Sequence, residues 1–140
     1  MESSFAQPER IAAETLIASA LSEDLQGACD LTSVALVPEG QTGVVQIVVR
    51  QQGVIAGLPI VERVMAQVDR SVKIDLLGRD GEVVSAGRVL ANVHGSVRAL
   101  LTGERTVLNF LTALSGVASL TRQFVDQVAG TQAQVLDTRK

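Results

Sequence analysis

In Gly103-Glu104-Arg105-Thr106-Val107-Leu108-Asn109-Phe110-Leu111, apolar residues recur at helical spacing and one carboxylate falls among them. Extended in both directions, the pattern predicts a helix from Val97 to about Leu114, with Ser96 as its N-cap. Val97, Leu100, Leu101, Leu108 and Leu111 make an apolar stripe. Arg98, Thr102, Arg105, Asn109 and Thr112 make a polar one, at steps of four, three, four and three. By period alone the polar stripe is the solvated face of an amphipathic helix. Glu104 breaks the scheme, four residues after Leu100 and four before Leu108. A charge buried there costs several kcal/mol, on the order of other uncompensated buried ions, unless it is paired. Such local conflicts mark functional or interface positions.

Beyond this helix, Gly116 is expected to break the chain, Val117–Val128 to form a second helix, and Gly130 to close it. Gln132–Leu136 reads as a short strand, with Asp137-Thr138-Arg139-Lys140 leaving its C-terminal end. In parallel α/β sheets and barrels, ligands bind at strand C-termini. Arginine offers a planar fork for a carboxylate and lysine a compact charge for a phosphate. Arg139 and Lys140 therefore read either as an anion site or as a frayed basic terminus that binds nothing.

Upstream, Pro8 to about Leu25 predicts a helix buried through Ala13, Leu16, Ile17, Ala20 and Leu21. Asp30, in Asp30-Leu31-Thr32-Ser33, reads as an Asx turn or cap in preference to a catalytic carboxylate. After a turn at Pro38–Gln41, Thr42–Arg50 predicts a strand, apolar on both faces and so expected in the centre of its sheet. Val54-Ile55-Ala56 is a second short strand. A helix follows Gly57-Leu58-Pro59 and buries Val61, Val64, Met65 and Val68. Ser71–Leu77, Val83-Val84 and Arg88–His94 are further strands, with turns at Asp80-Gly81 and Ala86-Gly87. His94, the sole histidine, lies opposite Val89, Ala91 and Val93, with no partner for general-base work nearby in sequence. The turn-strand run with glycine corners also occurs in lipoyl- and biotinyl-carrier domains, but neither Lys73 nor Lys140 lies at a hairpin tip.

The totals narrow the possibilities. The 140 residues suit one domain, or one plus the start of another. With 46% hydrophobic residues the chain can bury a core, and with three Phe, no Trp and no Tyr that core is aliphatic. A net charge of −3 and the lack of stacking aromatics argue against a nucleic-acid or membrane-surface role. Cys29 is the single cysteine, so neither an intrachain disulfide nor a thiolate cluster can form. The start Met1-Glu2-Ser3-Ser4-Phe5 lacks secretory character, and no apolar run approaches membrane-spanning length; a cytoplasmic location is expected.

Six motifs in register carry a resemblance. They are Glu23-Asp24-Leu25 with Asp30-Leu31-Thr32-Ser33, Gly53-Val54-Ile55-Ala56-Gly57-Leu58, Asp80-Gly81 with Gly87, Glu104 to Leu111, Leu114-Ser115-Gly116-Val117-Ala118-Ser119, and Asp137-Thr138-Arg139-Lys140. Together, from about Ile11 to Lys140, the chain resembles the nicotinate-nucleotide pyrophosphorylase (carboxylating), or quinolinate phosphoribosyltransferase, family. The resemblance implies an α+β fold: an N-terminal α/β sandwich domain with its interface helix over residues 1–112, then linker helices and the first strand of a truncated α/β barrel over 113–140. It also implies transfer of phosphoribose from phosphoribosyl pyrophosphate to quinolinate, giving nicotinate mononucleotide, pyrophosphate and carbon dioxide, with magnesium whose ligands are not in this chain. A homodimer is implied, in which Arg105 reaches the partner's site and holds a quinolinate carboxylate. Arg139 and Thr138 match substrate-binding positions, and Lys140 matches a substrate-binding and catalytic one on the phosphoribosyl pyrophosphate side.

Two departures stand out: Ser119 replaces the commoner threonine, and the chain stops at Lys140, inside a motif that the family continues. A barrel needs roughly 200 residues or more, so this chain is expected to carry half a site and to be inactive alone. The competing readings are a non-catalytic dimerisation or carrier-like module, and a molybdenum-transport-associated homologue.

Overall fold

The computed structural model describes residues 7–26 and 29–137. In chain order the elements are α1 (Gln7–Leu25), α2 (Leu31–Leu36), β1 (Thr42–Val48), β2 (Gly53–Val54), α3 (Ile60–Val68), β3 (Lys73–Leu76), β4 (Val83–Val84), β5 (Val89–Ser96) and α4 (Val97–Val128). The expected α+β fold is present, and no closed barrel forms among the described residues. One antiparallel sheet has the order β1-β5-β3; β2 and β4 make a separate antiparallel pair.

The core lies where α1, α3 and α4 meet one face of the larger sheet. Ile17 and Leu21 of α1, Val61, Val64 and Met65 of α3, Val93 of β5, and Leu100, Val107 and Leu111 of α4 are all buried. Each aliphatic side chain fully removed from water contributes roughly 1.5–3 kcal/mol, which an aliphatic core without Trp or Tyr needs from many residues at once. On β3, Ile74 and Leu76 pack toward this core while Lys73 and Asp75 face out, as the alternation predicts. Gly103 lets α3 and α4 approach, because a Cβ there would lie 2.6 Å from Met65 Sδ.

β5, not β1, is the central strand. β1 occupies an edge and leaves Val44, Val45 and Val48 exposed in this chain. Its two apolar faces misled because a strand with uncovered surface reads like a buried one. Where β1 runs on, the register shifts: Ile47 opposes Ala91 but Val48 opposes Val89. The extra residue, Leu90, is a bulge, and its carbonyl accepts from the Leu77 N–H at 2.8 Å and the Gly78 N–H at 3.2 Å.

Gly116 does not break α4, which runs unbroken for 32 residues and passes through residues 112 and 113. A single glycine costs a helix only about 1 kcal/mol, and contacts on either side outweigh it. Ser115 Oγ accepts from the Ala56 N–H at 3.1 Å, and Ser119 Oγ accepts from the Val54 N–H at 2.8 Å. These hydroxyls clasp the backbone of the β2 segment to the helix. An added Cβ at Gly53 would lie 2.6 Å from Ser119 Oγ, and one at Gly57 would lie 2.5 Å from Leu114 Cδ1. Asp80 completes the clasp by accepting from the Gly57 N–H at 3.0 Å and the Leu58 N–H at 2.8 Å. Three motifs from separate parts of the sequence are thus one tertiary contact.

After Gly130, which has φ +82°, residues 132–136 form no strand. A strand needs a ladder to satisfy its backbone, and no described strand pairs with this segment.

Candidate functional site

Helix α4 is set in its rotation by the residues it buries: Ala99, Leu100, Gly103, Thr106, Val107 and Leu111. This face is turned from the expected stripe, leaving Leu101 and Leu108 40–42% exposed. Glu104 is exposed beside them, so it carries no burial penalty, and it has no ion-pair partner among the described residues. It sits on the rim of an apolar groove with Val45, Ile47, Leu101 and Leu108.

The polar stripe separates into distinct roles. Arg98 turns back to α2: its Nε donates to the Val37 carbonyl at 2.9 Å, and its Nη2 donates to the Val37 and Val34 carbonyls at 2.7 and 3.2 Å. A guanidinium on the last carbonyls of a helix satisfies orphan acceptors and opposes the negative end of the dipole. At the other end, Asp30 is the N-cap of α2, accepting from the Ser33 N–H at 3.0 Å and from the Ser33 hydroxyl. These bonds from Ser33, the hydroxyl foremost, hold the Asp30 carboxyl below the ordinary range. Asp30 is thus a cap, one of the two roles its sequence context suggests; the six-residue helix it caps was not anticipated. Thr102 and Thr112 spend their hydroxyls on the Arg98 and Leu108 carbonyls of their own helix, at 2.8 and 2.7 Å.

That leaves Arg105 projecting from α4 with its side chain 75% exposed. Its Nη1 lies 2.9 Å from Asp24 Oδ1, in the last turn of α1, and among the described residues it pairs with no other carboxylate. The pair lines two solvent-open cavities. One, of about 340 Å³, is bordered by Glu23, Asn109 and Phe110; the other, of about 530 Å³, by Cys29, Asp30, Thr32 and Thr102. An arginine fork placed so can accept a carboxylate or phosphate from solvent or from another molecule. Sequence reasoning missed Asp24 as its partner, although a carboxylate in a final helical turn was the available signal.

The other expected site residues, Thr138, Arg139 and Lys140, lie outside the described residues. His94 stands on the sheet face opposite α4, with Nε2 3.2 Å from Asp75 Oδ2 in an exposed pair. No group of three or more His, Cys, Asp or Glu among the described residues is arranged to hold a metal ion.

Comparison with known proteins supplies the context. The family described as quinolinate phosphoribosyl transferase, N-terminal domain, matches residues 30–115. A nicotinate-nucleotide pyrophosphorylase (carboxylating) from Mycobacterium leprae is 40% identical over 131 residues, 92% of this chain and 46% of that protein. A mitochondrial quinolinate phosphoribosyltransferase (decarboxylating) 2a from Nicotiana tabacum is 36% identical, covering 86% of this chain and 34% of that protein. The crystal structure of NadC from Streptococcus pyogenes superposes with a TM-score of 0.88 at 33% identity, covering 98% of this chain and 48% of that one. The chain thus spans less than half the length of these relatives.

Proposed function

The chain belongs to the quinolinate phosphoribosyl transferase family, and from that premise we propose that it contributes part of the site for making nicotinate mononucleotide from quinolinate and phosphoribosyl pyrophosphate. Pyrophosphate and carbon dioxide leave in this reaction, which serves NAD synthesis. The observation that carries the proposal is the Arg105 guanidinium, 75% exposed on a helix inside the matched region and paired with Asp24 through Nη1. Quinolinate is a dicarboxylate, and an arginine fork is the side chain that matches a carboxylate's geometry. Fixed cations of this kind hold the substrate in line and stabilise charge as it redistributes.

Thr138, Arg139 and Lys140 are proposed to bind the same substrates from the next segment, with Lys140 on the phosphoribosyl pyrophosphate side as the catalytic cation. Magnesium is proposed as the cofactor of the whole enzyme, with ligands outside this chain. A homodimer is proposed in which Arg105 serves the partner's site; the uncovered groove around Glu104, one helical position away, supports an interface there. We place the protein in the cytoplasm: no helix among the described residues is long and apolar enough to cross a membrane, although the tobacco relative is named as mitochondrial. The pyrophosphorylase relatives favour this reading over a carrier module or a molybdenum-transport-associated homologue.

The test is Arg105→Ala in the full-length protein, assayed for nicotinate mononucleotide. Loss of a charged hydrogen-bond donor should raise the quinolinate KM roughly 10- to 100-fold, with little change in melting temperature because the side chain is exposed. Wild-type kinetics for quinolinate in that variant would remove Arg105 from the site.

A further inference from the structure

We infer that Asp24 is a positioning residue for Arg105, fixing one end of its guanidinium and turning the remaining N–H groups outward to receive a substrate carboxylate. The inference rests on the proposed role of Arg105.

Asp24 sits where a helix disfavours a carboxylate. Glu23 and Asp24 fall in the last turn of α1, which contains no basic residue. The helix dipole is negative at that end, so carboxylates are disfavoured there. A conflict of this kind is kept when another contact compensates it, and the contact that Asp24 makes is with Arg105 Nη1 at 2.9 Å. The contact does little for stability, since an ion pair with one member largely in solvent contributes little. Its effect is on direction.

The Asp24 side chain is 25% exposed while that of Arg105 is 75% exposed, so the carboxylate is the more covered partner and the guanidinium the presented one. The contact runs through Nη1, and neither Nε nor Nη2 donates a hydrogen bond to another side chain or carbonyl among the described residues. Those two donors form the edge that takes a carboxylate bidentately. Asp24 and Arg105 together border both solvent-open cavities, so the free edge has access from either side. An arginine left to sample its rotamers would lose conformational freedom on binding; holding one end beforehand reduces that loss.

A double-mutant cycle in the full-length protein tests this, with quinolinate and phosphoribosyl pyrophosphate kinetics measured separately. Asp24→Ala should raise the quinolinate KM roughly five- to tenfold while kcat and the phosphoribosyl pyrophosphate KM stay within about twofold, because orientation is lost in ground and transition states alike. Asp24→Asn, which keeps the shape and one acceptor, should fall between, and serves as the probe if Asp24→Ala folds poorly. Added to Arg105→Ala, either change should have no further effect on the quinolinate KM. If Arg105→Ala raises that KM but neither Asp24 variant does, the positioning role is overturned while the proposed site stands. Equal losses from Asp24→Ala with and without Arg105 would overturn it too, by showing a structural effect. Should Arg105→Ala itself leave the KM unchanged, the premise fails and the inference with it.

Discussion

The Asp30 carboxylate holds the start of α2 through Ser33, and those bonds favour its charged form. A carboxyl whose value is lowered by folding stabilises the folded state above its ordinary value of 3.8, and that stabilisation disappears as pH falls through the lowered folded value. Asp30→Ala should therefore cost about 1 kcal/mol at neutral pH, as an N-cap deletion does. The difference from wild type should shrink steadily below the ordinary Asp value. Urea unfolding of both chains across that acidic range checks it; a difference independent of pH would refute the charged cap. The cap was legible in Asp30-Leu31-Thr32-Ser33 because a cap is a local device. Arg98 was not: it reads as one of a solvated stripe, and only the fold brings the α2 carbonyls, some sixty residues away in sequence, to within 2.7–3.2 Å of it.

At the scale of elements, α4 turns on two glycines with opposite expectations. Gly116 lies within the helix with nothing inside 4 Å of an added Cβ. Gly116→Ala should stabilise this chain by roughly 0.5–1 kcal/mol through helix propensity. Gly57 has φ +88° and faces Leu114 of the same helix. Gly57→Ala should destabilise by roughly 2 kcal/mol or more, combining left-handed strain with overpacking. Thermal melts of the pair decide the matter, and a destabilising Gly116→Ala would mean that the unbroken helix is wrong. The expected break at Gly116 followed from glycine being a helix punctuator in general. The serines on either side overrule it through partners in β2, and no local pattern announces those partners.

For the whole molecule, much apolar surface stays uncovered. Val117, Leu120, Phe124 and Val125 on the second half of α4 are 40–68% exposed, as are Val44 and Val45 on the edge strand. Surfaces of this kind mark contact with something else, and the chain spans less than half of the relatives it matches. Expressed by itself, the 140-residue chain should give no nicotinate mononucleotide from quinolinate, phosphoribosyl pyrophosphate and magnesium. Product formation by the purified 140-residue chain would overturn the half-site reading.

What the sequence determined by itself were the features written in short periods: α3, the alternating β3, the cap at Asp30, and Arg105 as a solvent-facing cation on a helix; the extent of α1 was legible too, but its expected stripe was not, since Ile17 and Leu21 are buried while Leu16 is 57% exposed. Motifs in register were enough to bring out the family as well. Tertiary structure alone decided that β5 and not β1 is central, that α4 is continuous, and which way that helix is turned. It also decided that Asp24 meets Arg105. Each of these depends on groups distant in sequence, and their free energy appears only when the chain has brought them together. The helix that first stood out for one misplaced glutamate is therefore oriented by Gly103 against Met65 and clasped by two serines.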